Sequence, residues 1–185
     1  MIRSAIRSSL VTITATQWLS LRYVKVLVDI LSLFDVEKIR TVTEVGIGYG
    51  GQCRILKKFL PIERYNLVDL PEVLALAEKF LTALNQRGER FIDGTHLYHD
   101  APCDLFVSDY AFSELGKPAQ DIYLEKIIAH ARAGYVTWDG DFFADAGLYD
   151  GYTLEEFVSF LPNAKVLHEV PVTTSPDNRV VIWQK

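Results

Sequence analysis

Apolar residues Trp18, Leu21, Val24, Leu27, Val28, Leu31 and Phe34 recur at steps of three and four. That spacing predicts a helix from about Thr16 to Phe34 with one apolar face. Arg22, Lys25 and Asp29 interrupt the stretch at helical spacing, so it reads as an amphipathic helix packed on something rather than as a membrane span. Beyond Asp35 the pattern shortens to strand-length runs. Thr41 to Val45 is a short strand, and a helix from Gly51 to about Leu60 follows, stopped by Pro61. Arg64 to Asp69 is a second strand, and Pro71 at a first helical position opens a helix to about Gln86. Arg90 to Asp93 is a brief third strand and Asp104 to Asp109 a clearer fourth. A helix over about Ala119 to Ala133 leads into a fifth strand, Gly134 to Gly140.

The tail changes character. Thr153-Leu154-Glu155-Glu156 is a capping box opening a short helix that ends at Pro162. Ala164 to Val172 and Arg179 to Trp183 are two strands joined by the turn-rich Thr174-Ser175-Pro176-Asp177-Asn178. Alternating strands and helices predict an α/β fold with right-handed parallel crossovers, and the closing hairpin predicts an antiparallel last strand. Residues 1–40 read as a helical segment packing on the core, and 41–185 as one cofactor-binding domain.

Between the first strand and its helix lies the run Glu44-Val45-Gly46-Ile47-Gly48-Tyr49-Gly50-Gly51. Glycine reaches positive φ and lets backbone approach a ligand closely, while the helix that follows aims free N–H groups at it. The run fits two cofactor classes at once. Gly46-x-Gly48-x-x-Gly51 matches a dinucleotide fingerprint, and Glu44-x-Gly46-x-Gly48-x-Gly50 matches the first motif of S-adenosylmethionine methyltransferases. Asp69 ends the next strand, placed to accept hydrogen bonds from both hydroxyls of a ribose or to cap the helix behind it.

Composition narrows the partners. With 49% hydrophobic and 23% charged residues over 185 positions, the chain is globular and of single-domain size, and its net charge of −5 argues against a nucleic-acid partner. Cys53 and Cys103 make no disulfide framework and have no metal-ligand spacing, which suits a reduced, cytoplasmic setting. The start, Met1 to Ile13, imitates a targeting peptide only faintly, since threonines break its apolar run.

Three features favour the methyl-transfer cofactor. Glu44 puts a carboxylate near the strand end, where it could meet the ammonium of a methionine moiety, whereas dinucleotide folds keep that strand apolar. A hairpin tail closes methyltransferase sheets, in the order 3-2-1-4-5-7-6 with the last strand reversed. No tyrosine opens the Tyr-x-x-x-Lys pair of a short-chain dehydrogenase. The segments Glu44 to Gly51, Leu67-Val68-Asp69-Leu70-Pro71-Glu72-Val73 and Asp104 to Leu115, followed by Tyr123-Leu124-Glu125-Lys126, then carry a resemblance. Over about residues 20 to 140 the chain resembles the sugar O-methyltransferases of bacterial surface-polysaccharide and glycoconjugate loci. Such proteins often show Asn before Tyr-Ala-Phe, where this sequence has Asp109.

The resemblance implies a Rossmann-like class I methyltransferase that uses S-adenosylmethionine to methylate a sugar hydroxyl. The expected cofactor residues are Glu44, Gly46, Gly48, Gly50, Asp69, Leu70, Asp93, Ser108 and Tyr110. A sugar hydroxyl needs a general base within hydrogen-bond reach, and Asp109, Glu114 and His96 are the candidates, with Asp139 behind them. Asp139, Asp141 and Asp145 could supply oxygens to a divalent metal, but no ligand spacing marks them and no metal is expected. Tyr110, Trp138, Phe142, Phe143 and Tyr149 could wall a sugar ring or simply fill the core. The expected acceptor is a sugar or glycoconjugate, with a homo-oligomer left open. A competing reading is a methyltransferase-like module that partners another enzyme, and a remoter one a nicotinamide-dinucleotide-binding protein.

Overall fold

The computed structural model describes residues 15–139 and 150–185. Its centre is a seven-stranded sheet of β1 (Thr41–Val45), β2 (Arg64–Asp69), β3 (Glu89–Asp93), β4 (Cys103–Asp109), β5 (Ala131–Trp138), β6 (Lys165–His168) and β7 (Arg179–Gln184). The strand order is 3-2-1-4-5-7-6. Strands β1 to β5 pair in parallel, β7 runs antiparallel to β5, and β6 is antiparallel to β7. This is the class I methyltransferase sheet the sequence led us to expect. The described residues also form five α-helices: α1 (Ala15–Leu33), α2 (Gly51–Phe59), α3 (Pro71–Ala83), α4 (Lys117–Lys126) and α5 (Leu154–Ser159).

Two cores sit on opposite faces of the sheet. Val42, Tyr65, Leu67, Leu105, Val107, Tyr135 and Ile182 pack against Val26, Leu27 and Ile30 of α1, Leu56 of α2 and Leu81 of α3. On the other face Phe106, Val136 and Trp183 meet Phe112, Trp138 and Phe157, with Trp138 and Phe157 stacked 5.1 Å apart. Burial of this apolar surface is the main favourable term holding the layers together. Cys53 and Cys103 are buried and free.

Helix α1 corrects the expected apolar face. Of the predicted row only Leu27 and Phe34 are buried; Leu21, Val24, Val28 and Leu31 are exposed. The helix is rotated so that a second row, Tyr23, Val26, Leu27, Ile30 and Phe34, faces the sheet and carries Lys25 inward with it. The side chain of Trp18 lies outside the described residues, as do residues 140–149 with Asp141, Phe142, Phe143, Asp145 and Tyr149.

Other boundaries shift for local reasons. α3 stops at Ala83 because Asn85 takes φ +56° and a Schellman closure forms, with Gln86 N–H to Leu81 O at 3.0 Å and Asn85 N–H to Thr82 O at 3.0 Å. The helix expected to reach Ala133 ends at Lys126, and β5 begins at Ala131, where Ala131 and Ala133 register with Cys103 and Leu105. Sheet pairing overrides the helix preference of alanine there. Gly134 belongs in the same strand because Trp183 occupies the space of a side chain: an added Cβ would lie 2.0 Å from its ring. β6 ends at His168 rather than Val172, because Glu169 turns inward and is 3% exposed. The capping box forms as read, with Thr153 and Glu156 satisfying each other's backbone N–H groups.

Candidate functional site

The carboxyl ends of β1, β2 and β4 meet at the glycine loop, where open parallel sheets bind ligands. Gly46, Gly48 and Gly50 all take positive φ, at +80°, +51° and +87°. Gly46 is also sterically obligatory, since a Cβ there would stand 1.9 Å from that of Ala111. At Gly48 a Cβ would meet nothing nearer than the Tyr23 hydroxyl at 3.9 Å, so the crest of the loop is open. The loop is held from below by Gly46 N–H to Val68 O at 3.2 Å and Gly50 N–H to Ile47 O at 2.9 Å. Tyr23 of α1 braces it from outside, packed so closely that a Cβ on Gly51 would lie 2.3 Å from its ring. α1 is therefore one wall of the site.

Asp69 ties the loop to the second strand. One carboxylate oxygen accepts the Ile47 N–H and the other the Leu70 N–H, each at 2.8 Å. Each oxygen keeps a second lone pair, so both remain available to a diol. Leu70 beside it is 53% exposed, an apolar surface at the sheet mouth. Asp93 stands next to Asp69 in register. Its carboxylate takes hydrogen bonds from the Thr95 hydroxyl and N–H and from His96, which hold its pKa down to about 2. Loop, diol acceptor and apolar wall make a donor set that fits an adenosyl group.

Glu44 is placed differently from expectation. Its carboxyl is 3% exposed and accepts the Tyr65 hydroxyl at 2.6 Å, inside the core beneath the loop. Burial, with Asp109 and Asp69 adding to it against the Tyr65 hydrogen bond, pushes its pKa up to about 8. Ser108, expected at the cofactor, is fully buried; its hydroxyl donates to Val45 O and accepts from Phe112 N–H, both at 3.0 Å. It shapes the turn after β4 instead of facing a ligand.

Tyr110 also departs from expectation. At φ +72° it turns its side chain toward the tail, where the hydroxyl donates to Glu169 at 3.0 Å, accepts from Asn178 at 3.1 Å and shares a hydrogen with Thr173. Burial pushes this phenol up to about 12. Arg22 lies over the ring, 4.5 Å from its centre, and binds Asp109 Oδ2 through Nη2 at 3.0 Å and Nε at 3.3 Å. Glu169 is the hub that the sequence pattern did not point to. Burial alone would raise its carboxyl, yet hydrogen bonds from Asn178, Thr173 and Tyr110 outweigh that and hold it below the usual range. Lys25 approaches it at 3.7 Å while pairing with Asp29 at 2.8 Å and donating to the Tyr135 hydroxyl at 3.0 Å. The second apolar row of α1 carries Lys25 inward, but only the fold brings Glu169 beside it.

Arg22, Asp109, Tyr110, Ala111, Glu114, Asp139 and Thr174 line a cleft of about 310 Å³ at the mouth of β4. Of the three expected bases, Asp109 and Glu114 meet there. Asp109 is engaged by Arg22, while burial and the neighbouring Asp139 raise Glu114, whose side chain still reaches solvent. His96 is not part of this group: it follows β3, three strand positions from β4 or roughly 14 Å at ~4.8 Å per strand, and it pairs locally with Asp93. Trp138, which could wall a sugar ring or fill the core, is buried in the core. Among the described residues no group of three or more His, Cys, Asp or Glu is placed to hold a metal ion, and no helix is long and apolar enough to cross a membrane.

The fold is shared with solved methyltransferases. A Nostoc punctiforme protein assigned to the O-methyltransferases superimposes with a TM-score of 0.70 at 15% identity, covering 92% of this chain and 57% of its own. PigF with S-adenosylhomocysteine gives 0.64 at 15% identity, over 91% of this chain and 57% of its own. The mitomycin 7-O-methyltransferase MmcR gives 0.63 at 17%, over 92% and 54%. The chain thus spans little more than half the length of these three structures. No curated protein matches the sequence. The O-methyltransferase domain model, however, matches residues 8–107, more than half of the chain. The chain belongs to the O-methyltransferase domain family, whose cofactor is S-adenosylmethionine.

Proposed function

We propose that this protein methylates a sugar hydroxyl seated in the cleft at the mouth of β4, in the assembly of a polysaccharide or glycoconjugate. The observation that carries the reading is the placement of two kinds of group at one sheet edge. The open glycine crest with Asp69 and Leu70 fits an adenosyl moiety, and a cleft of carboxylates and one guanidinium lies beside it. When bound, the cofactor would supply a methyl carbon activated by its sulfonium, the carbon–sulfur bond breaking to leave a neutral thioether. The residues of this chain then have two tasks, to orient the acceptor and to take its proton.

Glu114 is the base in this scheme. Its raised pKa brings it nearer the operating pH, where proton abstraction is most effective. As the hydroxyl oxygen gains the methyl group its O–H bond breaks, and the proton passes to the Glu114 carboxylate. Asp109, held by Arg22, orients the acceptor by accepting a second hydroxyl. This division of labour rests on two carboxylates in unlike surroundings, a recurrent pattern in acid–base sites. Paired carboxylates with an arginine suit a polyol, which offers several donors and acceptors together.

The test is a transfer assay with methyl-labelled S-adenosylmethionine and a panel of sugars, nucleotide sugars and phenols. Label is expected on a sugar oxygen, with Glu114→Gln lowering turnover by about 10²-fold or more at an unchanged melting temperature. Transfer only to phenols, or full activity in the variant, would refute the reading.

A further inference from the structure

The chain between β6 and β7 returns to the cleft at the mouth of β4. Its Thr174 lines that cleft together with Arg22 and Tyr110, and is exposed there. Apolar burial does not hold this connection in place, because its two valines, Val170 and Val172, are 73% and 53% exposed. Hydrogen bonds to one buried carboxylate hold it instead. Glu169 is 3% exposed, and among the described residues each of its oxygens accepts two hydrogen bonds. Oε1 takes the hydroxyls of Tyr110 at 3.0 Å and Thr173 at 2.8 Å. Oε2 takes the Thr173 N–H at 3.3 Å and the Asn178 amide at 2.7 Å. The Asn178 amide, itself buried, also donates to the Thr174 hydroxyl at 2.8 Å and the Tyr110 hydroxyl at 3.1 Å. Tyr110 in turn supports the facing wall, where Arg22 lies 4.5 Å over its ring.

We propose, resting on the reading of this cleft as the acceptor site, that the β6–β7 connection is a wall of that site and that Glu169 is the positioning residue that sets it. Thr174 meets the acceptor, and Glu169 acts on it through Asn178 and on the opposite wall through Tyr110. The position demands an ionised carboxylate. Only a carboxylate offers two accepting oxygens at that length, whereas a glutamine offers one and turns a donor toward either Asn178 or Tyr110. Hydrogen bonds to an ionised group are also the stronger kind, and a fully satisfied buried network fixes one arrangement of the groups it joins. The tail of the chain thereby does more than close the sheet; it shapes the place where the acceptor sits.

The experiment measures steady-state methyl transfer by the full chain from S-adenosylmethionine to methyl glucoside, uridine diphosphate glucose and catechol. Glu169→Gln is expected to raise the acceptor KM at least about ten-fold, with kcat and the KM for S-adenosylmethionine within about two-fold of wild type. Glu169→Asp, which keeps both accepting oxygens on a shorter arm, should recover part of that loss. Thr174→Val keeps the side-chain shape at an exposed position and should raise the acceptor KM about three-fold or more. Asp177→Asn, exposed in the same turn but outside the cleft, should leave every constant unchanged. An unchanged acceptor KM in Glu169→Gln, with the loss appearing only as a lower kcat from fewer folded molecules, would make Glu169 a stabilising residue alone and overturn the proposal. If Glu169→Gln does not fold, Thr174→Val decides, and an unchanged acceptor KM there overturns it equally. Transfer to catechol alone with the same KM shifts would uphold the wall and refute the sugar reading. Transfer to none of the three by a wild type that binds S-adenosylhomocysteine would overturn both the acceptor site and its wall.

Discussion

The two halves of the sheet mouth are built in different ways. The half formed by β1 and β2 is made of neighbours: the glycines, Asp69 and Leu70 lie within 25 residues of one another, and their contacts run through backbone N–H groups. The half formed by β4 and β5 is assembled from side chains far apart in sequence. Arg22 reaches Asp109 across 87 positions, Tyr110 reaches Glu169 across 59, and Lys25 reaches Tyr135 across 110. A backbone-built site keeps its form if the loop folds, whereas a site of distant side chains depends on every element that carries one.

Glu169→Ala should break the comparison most visibly. It removes the carboxylate that accepts from the Tyr110 hydroxyl and the Asn178 amide and that stands beside Lys25. Removing one member of such a buried charged network costs about 3–5 kcal/mol, read as a drop in the denaturant midpoint. Below its melting temperature, the variant should still bind S-adenosylhomocysteine with affinity within about two-fold of wild type. A parallel loss of cofactor affinity would show that the halves are one unit.

A smaller effect sharpens the other half. Glu44 is raised to about 8 in the folded chain by burial, above its ordinary value near 4.5. The folded state therefore holds more protons than the unfolded state between those values. The stability Glu44 contributes is fully present below pH 4.5 and is lost as pH rises toward about 8. Glu44→Gln keeps an acceptor for Tyr65 and cannot ionise, so its stability should fall less than that of wild type between pH 6 and pH 8.5. Parallel pH profiles of the two proteins in urea would contradict the buried, neutral Glu44.

The same division explains what could be read from the sequence. The strand before the loop, Thr41–Val45, and Arg64–Asp69 are found where their patterns put them, because local burial and turn chemistry decide them. The rotation of α1 was not legible. Its sequence holds two apolar rows at helical spacing, and Arg22, Lys25 and Asp29 read equally well as a solvated face or as partners for buried acids and phenols. Only the fold brings Asp109, Tyr135 and Glu169 beneath them. The resemblance put Ser108 and Tyr110 among the cofactor residues, yet a motif at a strand end says where the backbone goes and not which way a side chain turns. His96 illustrates the converse, a titratable residue near a strand end that the sheet order carries away from the cleft.

We propose that the half formed by β1 and β2 holds the cofactor through Asp69. Calorimetric titration of S-adenosylhomocysteine into wild type and Asp69→Ala tests it most directly. Wild type should show saturable one-to-one binding, and the variant an affinity lower by at least about ten-fold, the weight of charge-assisted hydrogen bonds to one carboxylate. Unchanged affinity in a folded Asp69→Ala protein, or no binding by wild type, would contradict it.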